Sequence, residues 1–124
     1  MIDKLKYFTV NGVTYPQAFT LNVIELIQEK YNTLDNFFKV MQPKNGEPKI
    51  KDIIWILQEV INEGIDIENE NKNENRAFLN HKQVARLITN TDQAKMMITN
   101  IISDSTKTGE EDPNEMTKQN LTEK

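Results

Sequence analysis

Cysteine is absent from the 124-residue chain, which excludes disulfides, thiolate metal sites and cysteine nucleophiles at once. No apolar run approaches the roughly 20 residues that a membrane-spanning helix needs. The opening "MIDKLKYFTV" lacks the hydrophobic region of a signal peptide. These absences lead us to expect a soluble protein made and used in the cytoplasm. A basic excess is missing too, since 15 Lys and Arg face 19 Asp and Glu, for a net charge of -4 and a pI of about 5.0. A protein whose main business is neutralising phosphates needs the opposite balance. The chain has one histidine and no Gly-rich phosphate loop.

What is present is enough for a modest core. Hydrophobic residues make up 37% of the chain and charged residues 27%, and the length favours a single domain. A mean hydropathy of -0.64 leaves part of the chain outside that core.

The first recognisable element is "KYFTVNGVTY". Asn11-Gly12 is the signature of a two-residue type I′ turn, because both central residues need positive φ. That turn pairs Val10 with Val13, Thr9 with Thr14 and Phe8 with Tyr15. Phe8, Val10, Val13 and Tyr15 then share an apolar face, with the two threonines on the other. Pro16 cannot donate to a ladder, so it marks a strand end or an edge.

Helical periodicity follows. Thr20 can cap "LNVIELIQEKY", where Leu21, Ile24, Ile27 and Tyr31 form a stripe widened by Val23 and Leu26. Thr33 can cap a short helix carrying Leu34, Phe37, Phe38 and Met41. Pro43, Gly46 and Pro48 then break the chain. From Ile50 the residues Ile53, Ile54, Leu57, Val60 and Ile61 form a wide stripe, with Trp55 and Ile56 beside it, up to an expected αL cap at Gly64. Asn80 and Gln83 have the spacing of a capping box ahead of Val84, Leu87 and Ile88. Thr91 can cap a last helix bearing Ala94, Met97, Ile98, Ile101 and Ile102. The predicted fold class is therefore α+β and mainly helical. A globular domain over 1–104 contains a hairpin at 5–16 packed on helices at about 20–31, 34–41, 50–63, 81–89 and 92–103. An acidic tail over 105–124 has almost no large apolar residues and is expected to be disordered.

The acidic run after Gly64 is the obvious metal candidate. Counted as a calcium loop from Asp66, it offers Glu68 and Glu70 but has Asn71 at the sixth position and Ala77 at the twelfth, where Gly and Glu are required. It is expected to be a solvated connection, and no metal or other cofactor is expected. His81 lies in the first turn of a helix, and Ser103 and Ser105 lie at a helix end and in the tail, so no catalytic triad is expected. Glu59 and Glu63 stand at i, i+4, the spacing of a charged helix face. No enzyme activity is expected. The stretch "KQVARLITNTDQAKMM" has the outline of a helix-turn-helix with Ala85 at the crossing. Its supposed reading helix offers only Lys95 as a cation. Met97 belongs to a core stripe. Met96, off that stripe, joins Trp55 and Ile56 as the candidate partner-binding residues, and the wide apolar helix also allows self-association.

The order of features is informative. The hairpin "VNGVTY", the helix "LNVIELIQEKY", the apolar helix ending "VINEGID" and then "NHKQVARLIT" resemble the tail assembly chaperones of long-tailed bacteriophages, especially those of Gram-positive hosts, over about residues 5–103. The resemblance implies a binding protein without chemistry of its own. Such a chaperone coats the helical tape measure protein, keeps it soluble and helps recruit tail tube subunits. It acts in the cytoplasm of an infected or lysogenic host and is left out of the mature virion, and a frameshifted longer product often shares its N-terminal domain. The competing expectations are a small phage or prophage DNA-binding regulator using residues 83–98, and a structural component that stays in the virion.

Overall fold

A computed structural model describes residues 5–88, 92–100 and 103. It is an α+β, mainly helical fold. Strands β1 (Lys6–Val10) and β2 (Val13–Gln17) precede α1 (Leu21–Tyr31), α2 (Leu34–Met41), α3 (Ile50–Lys72) and α4 (His81–Leu87). A fifth helical stretch, α5, covers 92–100. The expected cap at Thr91, the apolar positions Ile101 and Ile102, and the tail over 105–124 lie outside the described residues.

The hairpin has the register that its turn dictates: Val10 pairs with Val13, Thr9 with Thr14 and Phe8 with Tyr15. Asn11 and Gly12 have φ of 51° and 80°, as a type I′ turn requires. Phe8 and Tyr15 stack at 5.5 Å on one face, and the two threonine hydroxyls hydrogen-bond at 2.9 Å on the other. Pro16 lies inside β2, opposite Tyr7. Alternate pairs of an antiparallel ladder exchange no hydrogen bonds, and Tyr7–Pro16 is such a pair when the turn-flanking Val10–Val13 pair is bonded. Proline therefore costs the ladder nothing there.

Helix α3 organises the rest, touching β2, α1, α2 and α4. Ile53, Ile54, Leu57, Val60 and Ile61 are buried along it as their spacing predicts. Ile50 and Leu21, each the first residue of its helix, are exposed instead, at 54% and 63%. The main correction concerns length. The helix does not stop at residue 63 with Gly64 as its cap but continues to Lys72, and the αL cap is Asn73, at φ 55°. The acidic run is thus helical and not a solvated loop. Its residues include no helix breaker as strong as proline, and Ile61, Ile65 and Glu68 prolong the buried stripe at i, i+4 and i+7. Ile65 is fully buried and Glu68 nearly so. The carboxylate of Glu68 accepts from Lys72 Nζ at 3.2 Å. The hydroxyl of Tyr7 also bonds it, and that bond raises the tyrosine's pKa.

Gly64 has a different task from capping. A Cβ built on it would lie 2.7 Å from Gln17 Cα, Gln17 N and the carbonyl carbon of Pro16. The missing side chain lets β2 cross the helix in backbone contact, and one turn away Ala18 N donates to the Val60 carbonyl at 2.9 Å.

Local caps behave variously. Thr33 Oγ1 accepts from Asn36 N at 3.0 Å, and the Asn80–Gln83 capping box is complete. Thr20 stands at the N-cap of α1 but makes no side-chain cap bond, because its hydroxyl donates to Glu63 instead. α4 ends at Leu87, two residues short of the expected boundary, with Ile88 already extended.

Candidate functional site

The residues singled out from sequence occupy three different environments. Ile56 is fully buried, so it has no surface to offer a partner and is a core residue. Its side chain points inward because α3 is covered on several sides. Trp55 is half-buried, edge-on to Tyr31 at 5.6 Å and beneath the Lys30 ammonium at 5.3 Å from the ring centroid. Met96 is exposed on α5, at 68%. Its neighbours on that helix, Ala94, Met97 and Ile98, are buried as expected.

A more coherent site is a groove of about 260 Å³ whose floor is the middle of α3. Glu59, Glu63 and Asp66 line it, at i, i+4 and i+7, which places three carboxylates on one helix face. Val23 and Leu26 of α1 form an apolar wall, and Phe78 forms the other. Phe78 is 57% exposed, a large aromatic ring left facing solvent. Glu63 is held in place: Oε2 accepts from Thr20 Oγ1 at 2.5 Å and from Asn22 Nδ2 at 3.0 Å. Glu59 is half-buried, and burial pushes its carboxyl pKa upward. Neither Glu59 nor Asp66 has a cation or hydrogen-bond donor against it among the described residues. Glu59 and Glu63 are therefore part of a groove rather than a freely solvated face.

Phe78 is presented by an extended strap, residues 74–80, that runs back along α3. Asn69 Oδ1 accepts from Arg76 N and its Nδ2 donates to the Arg76 carbonyl, both at 3.0 Å. One heptad earlier, Asn62 repeats the arrangement on Leu79, at 2.8 and 2.9 Å. Gln58 adds a third amide to the Leu79 carbonyl at 3.2 Å. The two carboxamides act as a short ladder along the strap, which Glu74 N also ties to the Asn69 carbonyl at 2.9 Å. Arg76 stacks over Tyr15 at 4.9 Å, joining strap to hairpin. None of these side chains was singled out from sequence. The available signal was the seven-residue spacing of Asn62 and Asn69, which puts two amides on one helix face.

Other candidate chemistry disperses. Among the described residues no group of three His, Asp or Glu is placed to hold a metal ion. Asp66, Glu68 and Glu70 lie on a helix, where a calcium loop would have to wrap. His81 and Ser103 are exposed. Ala85, which a helix-turn-helix would bury at its crossing, is exposed, and Lys95 is paired with Glu47. No helix among the described residues is long and apolar enough to cross a membrane. In comparisons with protein-family models, curated proteins and solved structures, nothing matches the chain.

Proposed function

We propose that this chain is a partner-binding protein, and specifically a tail assembly chaperone of a long-tailed bacteriophage. The observation that carries the binding reading is the groove: an exposed aromatic and an aliphatic wall flank three carboxylates on a helix floor, Glu63 held by Thr20 and Asn22 and the other two without a donor among the described residues. At about 260 Å³ it falls below the roughly 300–1,000 Å³ of usual small-molecule pockets. It suits the side chains of a protein partner. The specific assignment rests on the order of sequence features, from "VNGVTY" to "QVARLIT".

In this reading the partner is the tape measure protein, a long helical chain whose apolar faces need cover until tail tube subunits assemble around it. The groove offers the helix-in-groove mode of recognition. The chaperone acts in the host cytoplasm and leaves before the virion is complete. Co-expression with the long helical protein encoded downstream tests this. The partner is expected to become soluble only with this chain and to co-elute with it on size exclusion. A partner that still precipitates while this chain elutes alone contradicts the proposal. Stoichiometric recovery of the chain from purified virions contradicts the chaperone role in favour of a structural one.

A further inference from the structure

The chemistry of the groove specifies its occupant more closely than a general partner-binding role does. We propose that it receives a cationic amphipathic helix: one large apolar side chain seats against Leu26 and Phe78, and Lys or Arg one turn to either side pairs with Glu59, Glu63 and Asp66. This rests on reading the groove as the partner site.

Charge selects among possible occupants. The three carboxylates span roughly 10 Å of α3, two turns at 1.5 Å per residue, and among the described residues no Lys or Arg lines the groove. Such a surface repels nucleic acid and anionic lipid. A second copy of this chain is itself acidic, at net -4. The two-turn spacing matches the i, i+4, i+7 spacing of cations on a helix lying alongside. Glu59 adds a further argument. It is half-buried with its carboxyl pKa raised and has no counter-charge among the described residues, so an incoming ammonium or guanidinium relieves an existing desolvation cost. Glu63 is preorganised by Thr20 and Asn22, which keeps one acceptor fixed before the partner arrives. The volume accommodates an anchor side chain and not a whole helix, so the rest of the partner lies across the rim.

The test uses the full chain and two helix-forming peptides of about 20 residues, long enough to hold helix in water. One carries leucines on one face flanked by lysines, and the other has glutamate in place of every lysine. Titration by fluorescence anisotropy is run on the wild type, on Glu59→Gln/Asp66→Asn and on Phe78→Ala. Far-UV circular dichroism checks that each variant is folded. The lysine peptide is expected to bind the wild type and to lose about tenfold in each variant, the equivalent of roughly 1.4 kcal/mol. Its binding weakens as salt rises, and the glutamate peptide does not bind. Equal binding of both peptides, unchanged affinity in the variants, or no binding of the lysine peptide overturns the proposal. Co-expression with the downstream protein separates the two claims. Peptide binding without partner solubilisation sinks the chaperone reading alone, whereas solubilisation that survives Glu59→Gln/Asp66→Asn sinks the groove assignment alone.

Discussion

Replacing Gly64 with alanine should destabilise the protein, although it improves the helix. In a helix interior, alanine is favoured over glycine by about 1 kcal/mol. Against that gain stands the geometry at Gly64, where the new methyl would lie 2.7 Å from three backbone atoms of Pro16 and Gln17. Carbon atoms prefer separations of about 3.5–4.0 Å, and here the obstruction is backbone, which cannot rotate away. Overpacking of this kind costs typically 1–3 kcal/mol. If β2 lifts off, the Ala18 N to Val60 O bond is strained or lost, for about another 1 kcal/mol. The net expectation is a loss of roughly 1–3 kcal/mol, and a melting temperature lower by roughly 5–10 °C at this chain length. Thermal and urea unfolding followed by circular dichroism measure it. A variant as stable as the wild type, or more stable, would refute the backbone contact that seats the hairpin on α3.

Four other substitutions discriminate. Asn62→Ala removes both of its bonds to the Leu79 backbone and leaves the part-buried Leu79 N–H unpaired, while the carbonyl keeps Gln58, costing about 1–3 kcal/mol. Hydrogen exchange at the Leu79 amide and proteolysis within 74–80 should both accelerate, and unchanged protection would dismiss the clamp. Ile56→Ala should cost about 2–5 kcal/mol as a core truncation. Met96→Ala should stay within about 0.5 kcal/mol as a surface change, and similar urea midpoints for the two would contradict their placement. Glu59 titrates with its folded pKa raised. The folded state therefore holds the proton more tightly, and this group's contribution falls as pH rises from its ordinary value through the raised one. Glu59→Gln should flatten that part of the stability profile and match or exceed the wild type at neutral pH. A steeper acid-side profile in the variant would reverse the sign and the argument.

The parts of the fold legible in sequence are those with local chemistry. Asn11-Gly12 dictates a turn, the turn dictates a register, and Asn80 with Gln83 forms a cap within four residues. The length of α3 was hidden because Asp, Glu and Asn in succession resemble a loop. Only the recurrence of Ile61, Ile65 and Glu68 at helical spacing betrays the continued burial. Gly64 was open to misreading for the same reason, since a glycine after an apolar helix looks like a cap until β2 is seen lying on it. Thr20 offered a cap hydroxyl that a tertiary partner, Glu63, takes instead. The groove itself is assembled from α1, α3 and the strap. Val23, Leu26, the Glu59–Glu63 spacing and Asp66 were visible in advance as separate features, and what joins them is Phe78, held across from Leu26 by side-chain amides of α3.

The most direct test of the central claim is an amide chemical-shift titration of this chain with the helical protein encoded downstream, or a soluble segment of it. The account predicts shifts concentrated at Val23, Leu26, Glu59, Glu63, Asp66 and Phe78. Shifts clustered around Trp55 and Met96, with those six residues unmoved, would contradict it.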